Sequence, residues 1–127
     1  MRVKYLSLEE ILRLHFQLVE DFGGFHGIRD EGRLISVVNA PKLEAFEVEQ
    51  YTSIHEKAAV YLRNIIGDHP FVDGNKRTAV TTSSIFLRRN DKRLTASQKA
   101  LEDFTLRVAN EHLEITEIAE WIEDHTR

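Results

Sequence analysis

The spacing of apolar residues along this chain is the feature that most constrains its fold. Apolar side chains recur at intervals of three and four residues in six separate segments, which is the period of amphipathic α-helices. Most of these segments begin after a capping residue, and the early ones end at glycine or proline. The sequence therefore predicts an all-α fold, a compact bundle of about six helices, in a single domain that spans residues 1–127.

Helix starts are marked by residues whose side chains can accept hydrogen bonds from the first helical turn. Ser7 with Glu10, and Ser53 with Glu56, have the three-residue spacing of a capping box. The predicted N-caps of the first, second, third, fifth and sixth helices are Ser7, Asp30, Ser53, Ser97 and Thr116. The predicted ends of the first three helices are Gly23–Gly24, Pro41 and Gly67.

The fourth helix is predicted from Asn75 to about Asn90, and its middle, TAVTTSSIF, is unusual. Threonine and serine are poor helix formers, so intrinsic propensity does not account for a helix at this position. Small side chains let neighbouring helices approach closely. We therefore expect this helix to lie at the centre of the bundle.

The segment Leu43–Tyr51 has a different pattern. Apolar or neutral residues alternate with Glu47 and Glu49, which suits a short extended segment. A frayed helix explains the same residues almost as well, so both interpretations stand at this point.

Composition excludes several classes of function. The chain has no cysteine, which rules out a disulfide framework, a thiolate zinc site and a cysteine nucleophile. Its net charge of -4 argues against general nucleic-acid binding, because phosphate backbones are held by excess positive charge. It has neither an apolar run near ~20 residues nor an apolar core of signal-peptide length. A soluble, cytoplasmic protein is therefore predicted.

Polar chemistry is concentrated in one loop, GDHPFVDGNKRTA, between the third and fourth helices. Asp73-Gly74-Asn75 has the composition of a turn that leads into a helix, whose N-terminal N–H groups form an anion site. Lys76 and Arg77 lie in that first turn, where the helix dipole disfavours cations. We expect a bound anion to offset their repulsion, and phosphate is the predicted anion.

Two further residues of the loop extend this chemistry. Asp73 supplies a hard oxygen ligand suited to magnesium, and the imidazole of His69 can accept a proton near neutral pH. A base, a metal ligand and a phosphate cradle together describe phosphoryl-type transfer to a hydroxyl. Taken one at a time, the same residues are explained better by a turn, a cap and solvated charges, and it is their joint arrangement that favours a function. The other five histidines are predicted surface or packing residues, namely His15, His26, His55, His112 and His125.

HPFVDGNKRTA resembles the Fic motif, H-P-F-x-[DE]-G-N-[GK]-R, in the variant of the Doc (death on curing) members of the Fic/Doc family. GGFHGIRDEGRL before it, the acidic APKLEAFEVEQY and FLRRN after it are also similar to Doc members. The resemblance implies a Fic fold with a central motif-bearing helix and a short extended flap. Lys76 stands where Fic adenylyltransferases carry glycine. In Doc members this implies transfer of the γ-phosphate of ATP rather than of AMP, with the nucleotide bound in the reverse sense.

The resemblance also implies roles for individual residues. His69 would be the base, Asp73 would position magnesium or the nucleophile, and Phe71 would anchor the loop in the core. The residues that would hold the phosphates of ATP are Gly74, through its backbone, Asn75, Lys76 and Arg77. The segment Leu43–Tyr51 would be the flap, which aligns the target chain by pairing with it as an added β-strand.

The implied target is a threonine of elongation factor Tu, whose modification halts protein synthesis, and the implied partner is a Phd-like antitoxin that docks a helix into a groove of the bundle. The Fic inhibitory motif, [ST]-x-x-x-E-[GN], is matched in part at Thr52/Glu56 and at Thr116/Glu120. Lys57 and Trp121 break its last position, which favours inhibition in trans. Three alternatives stand beside the kinase toxin. They are a Fic-type adenylyltransferase, a non-enzymatic antitoxin-binding helical module and, more distantly, a nucleic-acid-binding module.

Overall fold

The computed structural model describes residues 2–127, and α-helices dominate this part of the chain. The helices are α1 Leu8–Phe22, α2 Glu31–Asn39, α3 Ile54–Asp68, α4 Asn75–Arg89, α5 Gln98–Glu111 and α6 Ile115–Asp124. A 3-10 turn, Ala40–Lys42, and two short strands, β1 Glu44–Ala45 and β2 Val48–Glu49, lie between α2 and α3. The predicted all-α bundle of six helices is confirmed. Within residues 2–127, no helix combines the length and apolar character needed to cross a membrane.

Helices α3 and α4 form the centre of the bundle. Helix α3 packs against α2, α4, α5 and α6, while α4 packs against α3 and α1. The small polar residues predicted to allow close approach do lie inside, since Thr78, Thr82 and Ser83 are buried. The Ser83 hydroxyl donates to the carbonyl of Ala58 on α3 at 2.9 Å. The central position predicted for the fourth helix is therefore confirmed, and α3 shares it.

Most helix boundaries follow the caps predicted from the sequence. The side chains of Ser7, Asp30, Ser53 and Ser97 accept hydrogen bonds from first-turn N–H groups. The prediction of Thr116 as a cap was wrong, because α6 begins at Ile115 and its N-cap is Glu114. There the Glu117 carboxylate accepts the Glu114 N–H at 3.3 Å. Helix α3 continues one residue beyond the predicted Gly67, to Asp68.

The segment Leu43–Tyr51 contains a β-hairpin. Strands β1 and β2 pair antiparallel, with Glu44 opposite Glu49 and Ala45 opposite Val48. The extended interpretation is therefore confirmed and the frayed helix is excluded. The predicted alternation was wrong at Phe46–Glu47, because these residues form the turn, with φ of 52° and 63°.

Candidate active site

His69 lies at the C-terminus of α3, where the chain leaves the helix. It is the C-cap residue, in the left-handed conformation with φ 47° and ψ 58°, and its side chain is exposed. Arg29 donates from Nε to the His69 carbonyl at 2.6 Å and from Nη2 to the Asp68 carbonyl at 2.7 Å. Arg33 reaches the same Asp68 oxygen at 3.3 Å. These cations satisfy the terminal carbonyls and complement the helix dipole, so they hold His69 in place.

The loop after His69 pairs with the loop that precedes α2. The Pro70 carbonyl accepts the N–H groups of Arg29 at 2.8 Å and Asp30 at 3.1 Å. The Val72 N–H donates to the Gly27 carbonyl at 3.0 Å. Because these hydrogen bonds pair the backbones of the two loops, the motif loop has a fixed path although it contains few regular hydrogen bonds of its own.

Asn75 closes the motif loop from its inner side. Its Oδ1 accepts the Phe71 N–H at 3.1 Å and its Nδ2 donates to the Phe71 carbonyl at 2.9 Å. Phe71 itself is buried, with 1% of its surface exposed, which confirms its expected place in the core. Asn75 is therefore a structural clamp as well as a candidate phosphate ligand.

The second contact of the Asn75 amide bears on the protonation of His69. Asn75 Nδ2 lies 3.3 Å from His69 Nδ1. When Nδ1 accepts this hydrogen bond, the proton of the neutral ring is on Nε2. A base acting through Nε2 needs the other tautomer, whose Nδ1–H would face the Asn75 amide donor, so the exposed His69 ring must turn away from Asn75 before Nε2 accepts a proton.

Asp73 is held by backbone groups on both carboxylate oxygens. Oδ1 accepts the Gly74 N–H at 2.9 Å, and Oδ2 accepts the Phe25 N–H at 3.1 Å. Gly24 lies against this carboxylate so closely that a Cβ at residue 24 would be 2.7 Å from Oδ2. Gly24, one of the two glycines that follow α1, therefore leaves the space that the Asp73 side chain occupies.

His15, on α1, supports the motif loop from below. Its Nε2 lies 2.8 Å from the Asp73 backbone oxygen, and its ring stacks on Phe71 with centroids 3.8 Å apart and planes 5° from parallel. The residue is only 4% exposed. Burial lowers the pKa of His15, and the hydrogen bond to Asp73 opposes this shift. The ring is thus neutral near pH 7 and donates to the carbonyl.

Helix α4 begins at the predicted position, immediately after Gly74. This N-cap glycine adopts φ 75° and ψ 18° and carries no capping side chain. The first N–H groups of the helix therefore face outward without a side-chain acceptor from the cap. Lys76 and Arg77 are both exposed in this first turn, and the Arg77 guanidinium lies 4.3 Å from the centre of the Phe22 ring. The arrangement has the unpaired N–H groups and the cations on which the predicted anion site depends.

A cavity of about 310 Å³ opens beside this helix terminus. His69 and Lys76 lie at its polar side, together with Arg63 and His112. Its apolar lining is Ile66 at the end of α3, Val108 and Ala109 on α5, and Leu113 just after α5. Asp68 also lines the cavity, which thus combines two cations, a carboxylate and apolar walls, a composition typical of small-molecule sites.

The predicted site residues fall into two groups around the start of α4. His69, Asn75 and Lys76 share contacts or the cavity, whereas Asp73 and Arg77 face Phe25 and Phe22 at the end of α1. Within residues 2–127, no cluster of three or more metal-ligating side chains includes Asp73. Sequence analysis missed the supporting residues, which are His15, Gly24, Arg29 and Arg33. For His15 the sequence did contain a signal of a supporting role, because this histidine falls in line with the apolar residues of α1.

The fold and the motif loop define a class of protein, the Fic/Doc family. The model of the Fic/DOC family matches residues 5–87, and the chain belongs to this family. It is 30% identical over 118 residues to the protein named "Protein kinase doc" of Escherichia phage P1, with 93% of this chain and 92% of that protein covered. It is 35% identical over 118 residues to "Toxin Doc" of Mycolicibacterium smegmatis, with 91% and 88% covered. The resemblance inferred from the motif is thereby confirmed.

Proposed function

We propose that this chain is the toxin of a toxin–antitoxin system and acts in the cytoplasm as a protein kinase. It transfers the γ-phosphate of ATP to a threonine hydroxyl of elongation factor Tu and so blocks translation. The observation that carries the proposal is the exposed His69 at the end of α3, beside the uncapped N-terminus of α4 with Lys76 and Arg77. The names of the two relatives, a kinase and a toxin, support the same assignment.

The reaction needs few groups from the protein. The acceptor hydroxyl oxygen forms a bond to the γ-phosphorus, the bond from that phosphorus to the β,γ-bridging oxygen breaks, and ADP leaves with the bridging electrons. The hydroxyl proton passes to Nε2 of His69. The N–H groups at the start of α4, with Lys76 and Arg77, stabilise the charge on the transferring phosphoryl oxygens, because preorganised donors act where that charge develops.

Asp73 can supply only part of the coordination shell of a magnesium ion. Both of its oxygens already accept one backbone N–H, and each keeps a free lone pair. Magnesium in phosphoryl-transfer sites takes one or two carboxylates and completes its shell with phosphate oxygens and water. When bound, it would supply charge neutralisation at the phosphates. The chain's own contribution is the fixed direction of the Asp73 carboxylate, set by Phe25 and Gly74.

The cavity beside Lys76 supports binding of the nucleoside end of ATP. Its volume of about 310 Å³ lies at the lower end of the range for small-molecule sites. The apolar walls would cover the base, and Arg63 and His112 would face the polar groups of the nucleotide.

A groove between α1 and α4 supports the proposed Phd-like antitoxin. It is lined by Leu6, Glu10, Arg13, Leu14, Phe16 and Ile85, among others. Apolar floor residues with charged residues at the rim suit an amphipathic helix. Inhibition in trans also agrees with the place of Glu56, whose side chain accepts the Ser53 N–H and so caps the N-terminus of α3.

The proposal is tested with purified protein, magnesium, elongation factor Tu and ATP labelled separately at the α- or γ-phosphate. We expect γ-label alone to reach elongation factor Tu, and His69→Ala to abolish the transfer. His112→Ala is the matched control, because it removes another imidazole that lines the same cavity without removing the base. Its expected effect is a raised KM for ATP.

Other results would assign another function. Transfer of α-label would identify an adenylyltransferase and contradict the role given to Lys76. Absence of transfer from either label, together with tight binding of a Phd-like peptide, would identify a binding module. Labelling that persists in His69→Ala would remove the proposed base.

A further inference from the structure

Lys57, on the first half of α3, is a buried lysine outside the site described above. Its side chain is 1% exposed. Nζ donates to the Pro41 carbonyl at 3.1 Å and lies 3.3 Å from Glu49 Oε1. The same ammonium lies 5.4 Å from the centre of the Tyr5 ring. Burial of a charge is costly unless it is paired and hydrogen-bonded, and these three partners meet that requirement.

The partners of Lys57 lie on both sides of the hairpin. Pro41 is in the 3-10 turn that leads into β1, and Glu49 is in β2. One ammonium therefore ties the entry and the exit of the hairpin to the same turn of α3. Two backbone hydrogen bonds also lie at the hairpin base, from the Gln50 N–H to the Leu43 carbonyl at 2.9 Å and from the Leu43 N–H to the Ala40 carbonyl at 3.2 Å, and neither reaches α3.

The hairpin has little stability of its own. Each strand has two residues, and a lone two-stranded hairpin is marginal in water even when it is longer. Both turn residues, Phe46 and Glu47, have positive φ, which favours glycine or asparagine. Glu44 stands directly opposite Glu49, and like charges in that position repel.

Burial does not compensate for these costs, because every residue from 42 to 50 is exposed. Phe46 at the tip is 99% exposed. The order of the hairpin must therefore come from its attachment to α3. The Lys57 ammonium also offsets the charge of Glu49, which reduces the repulsion across the hairpin.

We propose that Lys57 is a positioning residue that holds the flap hairpin against α3 and so sets how the protein acceptor is presented to His69. This inference rests on the proposed function, since it assigns the hairpin to acceptor recognition. Lys57 and His69 lie on the same helix, one near its start and one at its end. If the hairpin moves relative to α3, it therefore also moves relative to the imidazole of His69, the proposed general base.

The first test measures hydrogen exchange in the intact chain. In Lys57→Met, which keeps the length of the side chain and removes its charge, we expect hairpin amides, including that of Gln50, to exchange on the order of tenfold faster. Amides of α4 should keep their wild-type rates. Lys99→Met is the matched control, because Lys99 forms an exposed ion pair with Asp103 at 3.2 Å. Unchanged hairpin exchange in Lys57→Met would overturn the proposal.

The second test separates positioning from a general structural effect. With elongation factor Tu as acceptor, we expect Lys57→Met to raise the KM for the acceptor on the order of tenfold and to leave the KM for ATP unchanged. Glu49→Ala, a change at a half-exposed residue that leaves the core intact, should show the same split to a smaller extent. The double variant should resemble Lys57→Met alone, because both changes break one contact. Equal losses with respect to acceptor and ATP would overturn the positioning role.

The two proposals can fail separately. If the wild-type protein transfers no label to elongation factor Tu, the proposed function fails while the exchange experiment still decides whether Lys57 orders the hairpin. If label is transferred and the acceptor KM does not respond to either variant, the kinase assignment stands and the role of Lys57 is wrong.

Discussion

Nε2 of His15 lies 2.8 Å from the backbone oxygen of Asp73, 58 residues further along the chain. This single contact connects α1 to the motif loop just before the N-terminus of α4. Since the imidazole also stacks on Phe71, His15 holds both the backbone that begins α4 and the aromatic anchor of the loop.

Two substitutions of His15 distinguish the effect of its hydrogen bond to Asp73 from the effect of its stacking on Phe71. His15→Phe keeps an aromatic ring on Phe71 but leaves the Asp73 carbonyl without its donor, and we expect a loss of about 1–2 kcal/mol in the free energy of unfolding. His15→Gln restores a donor at a similar reach and should recover part of the phosphate transfer. Urea denaturation and γ-label transfer measure the two effects. Equal transfer by both variants would show that the hydrogen bond has no role.

The lowered pKa of His15 has a consequence for acid stability. The ordinary value is 6.5 and the folded value lies below it, so the unfolded chain binds the proton more readily. The contribution of His15 to stability is therefore complete above pH 6.5 and declines as the pH falls toward the folded pKa. We expect the unfolding free energy of His15→Phe to fall less steeply than that of the wild type below pH 6.5. Parallel pH profiles would contradict this expectation.

Gly24→Ala tests whether the position of the Asp73 carboxylate matters for the transfer reaction. The new Cβ would lie 2.7 Å from Oδ2 at a residue with φ of 109°, so the Asp73 side chain must move. Gly23→Ala is the control, because that residue also has positive φ, 88°, but has open space around a Cβ. Both variants should lose about 1–2 kcal/mol from backbone strain. Only Gly24→Ala should also lose magnesium-dependent transfer, and similar transfer rates in the two variants would rule out this role of Asp73.

The Glu10–Arg89 ion pair, which joins α1 to α4, predicts a second pH effect. The hydrogen bond from Arg89 lowers the pKa of Glu10 from 4.5 to about 2. Its stabilising contribution is complete above pH 4.5 and is lost as the pH falls toward 2. Glu10→Gln should be less stable than the wild type near neutral pH and should converge with it near pH 2. Glu9→Gln, a change at an exposed neighbour, should show no such convergence.

Thr82 on α4 offers a stabilising substitution. Its hydroxyl is buried and has no hydrogen-bond partner within residues 2–127. Thr82→Val keeps the shape and removes the unpaired group, so we expect a gain of about 1 kcal/mol and a higher Tm. Thr81→Val serves as the control, because the Thr81 hydroxyl donates to the Arg77 carbonyl at 2.8 Å. A Thr82→Val protein less stable than the wild type would show that the hydroxyl is satisfied.

Local interactions explain which features were predictable from the sequence. Ser7 and Ser53 cap helices through residues three positions away, and the turn at Gly74 leads directly into α4. The start of α6 was missed because a glutamate pair, Glu114 and Glu117, stands where a hydroxyl was expected.

Long-range contacts explain what the sequence did not reveal. His15 was interpreted as a packing residue because its partner on the motif loop is distant in the chain. Lys57 was noted only for breaking the inhibitory motif, since neither Pro41 nor Glu49 is within a helical turn of it. The hairpin turn at Phe46 and Glu47 lacks the usual glycine or asparagine, so its sequence resembled a continuous strand.

In the proposed function, the length of helix α3 sets how long an acceptor must be to reach both the hairpin and His69. Lys57 and His69 are twelve positions apart on it, which corresponds to about 18 Å at 1.5 Å per residue. An extended chain that touches the base of the hairpin and offers its hydroxyl to His69 must span about five or six residues. If the acceptor binds as proposed, a free amino acid or a tripeptide cannot reach both points, and we expect length to be the first property by which a substrate is selected.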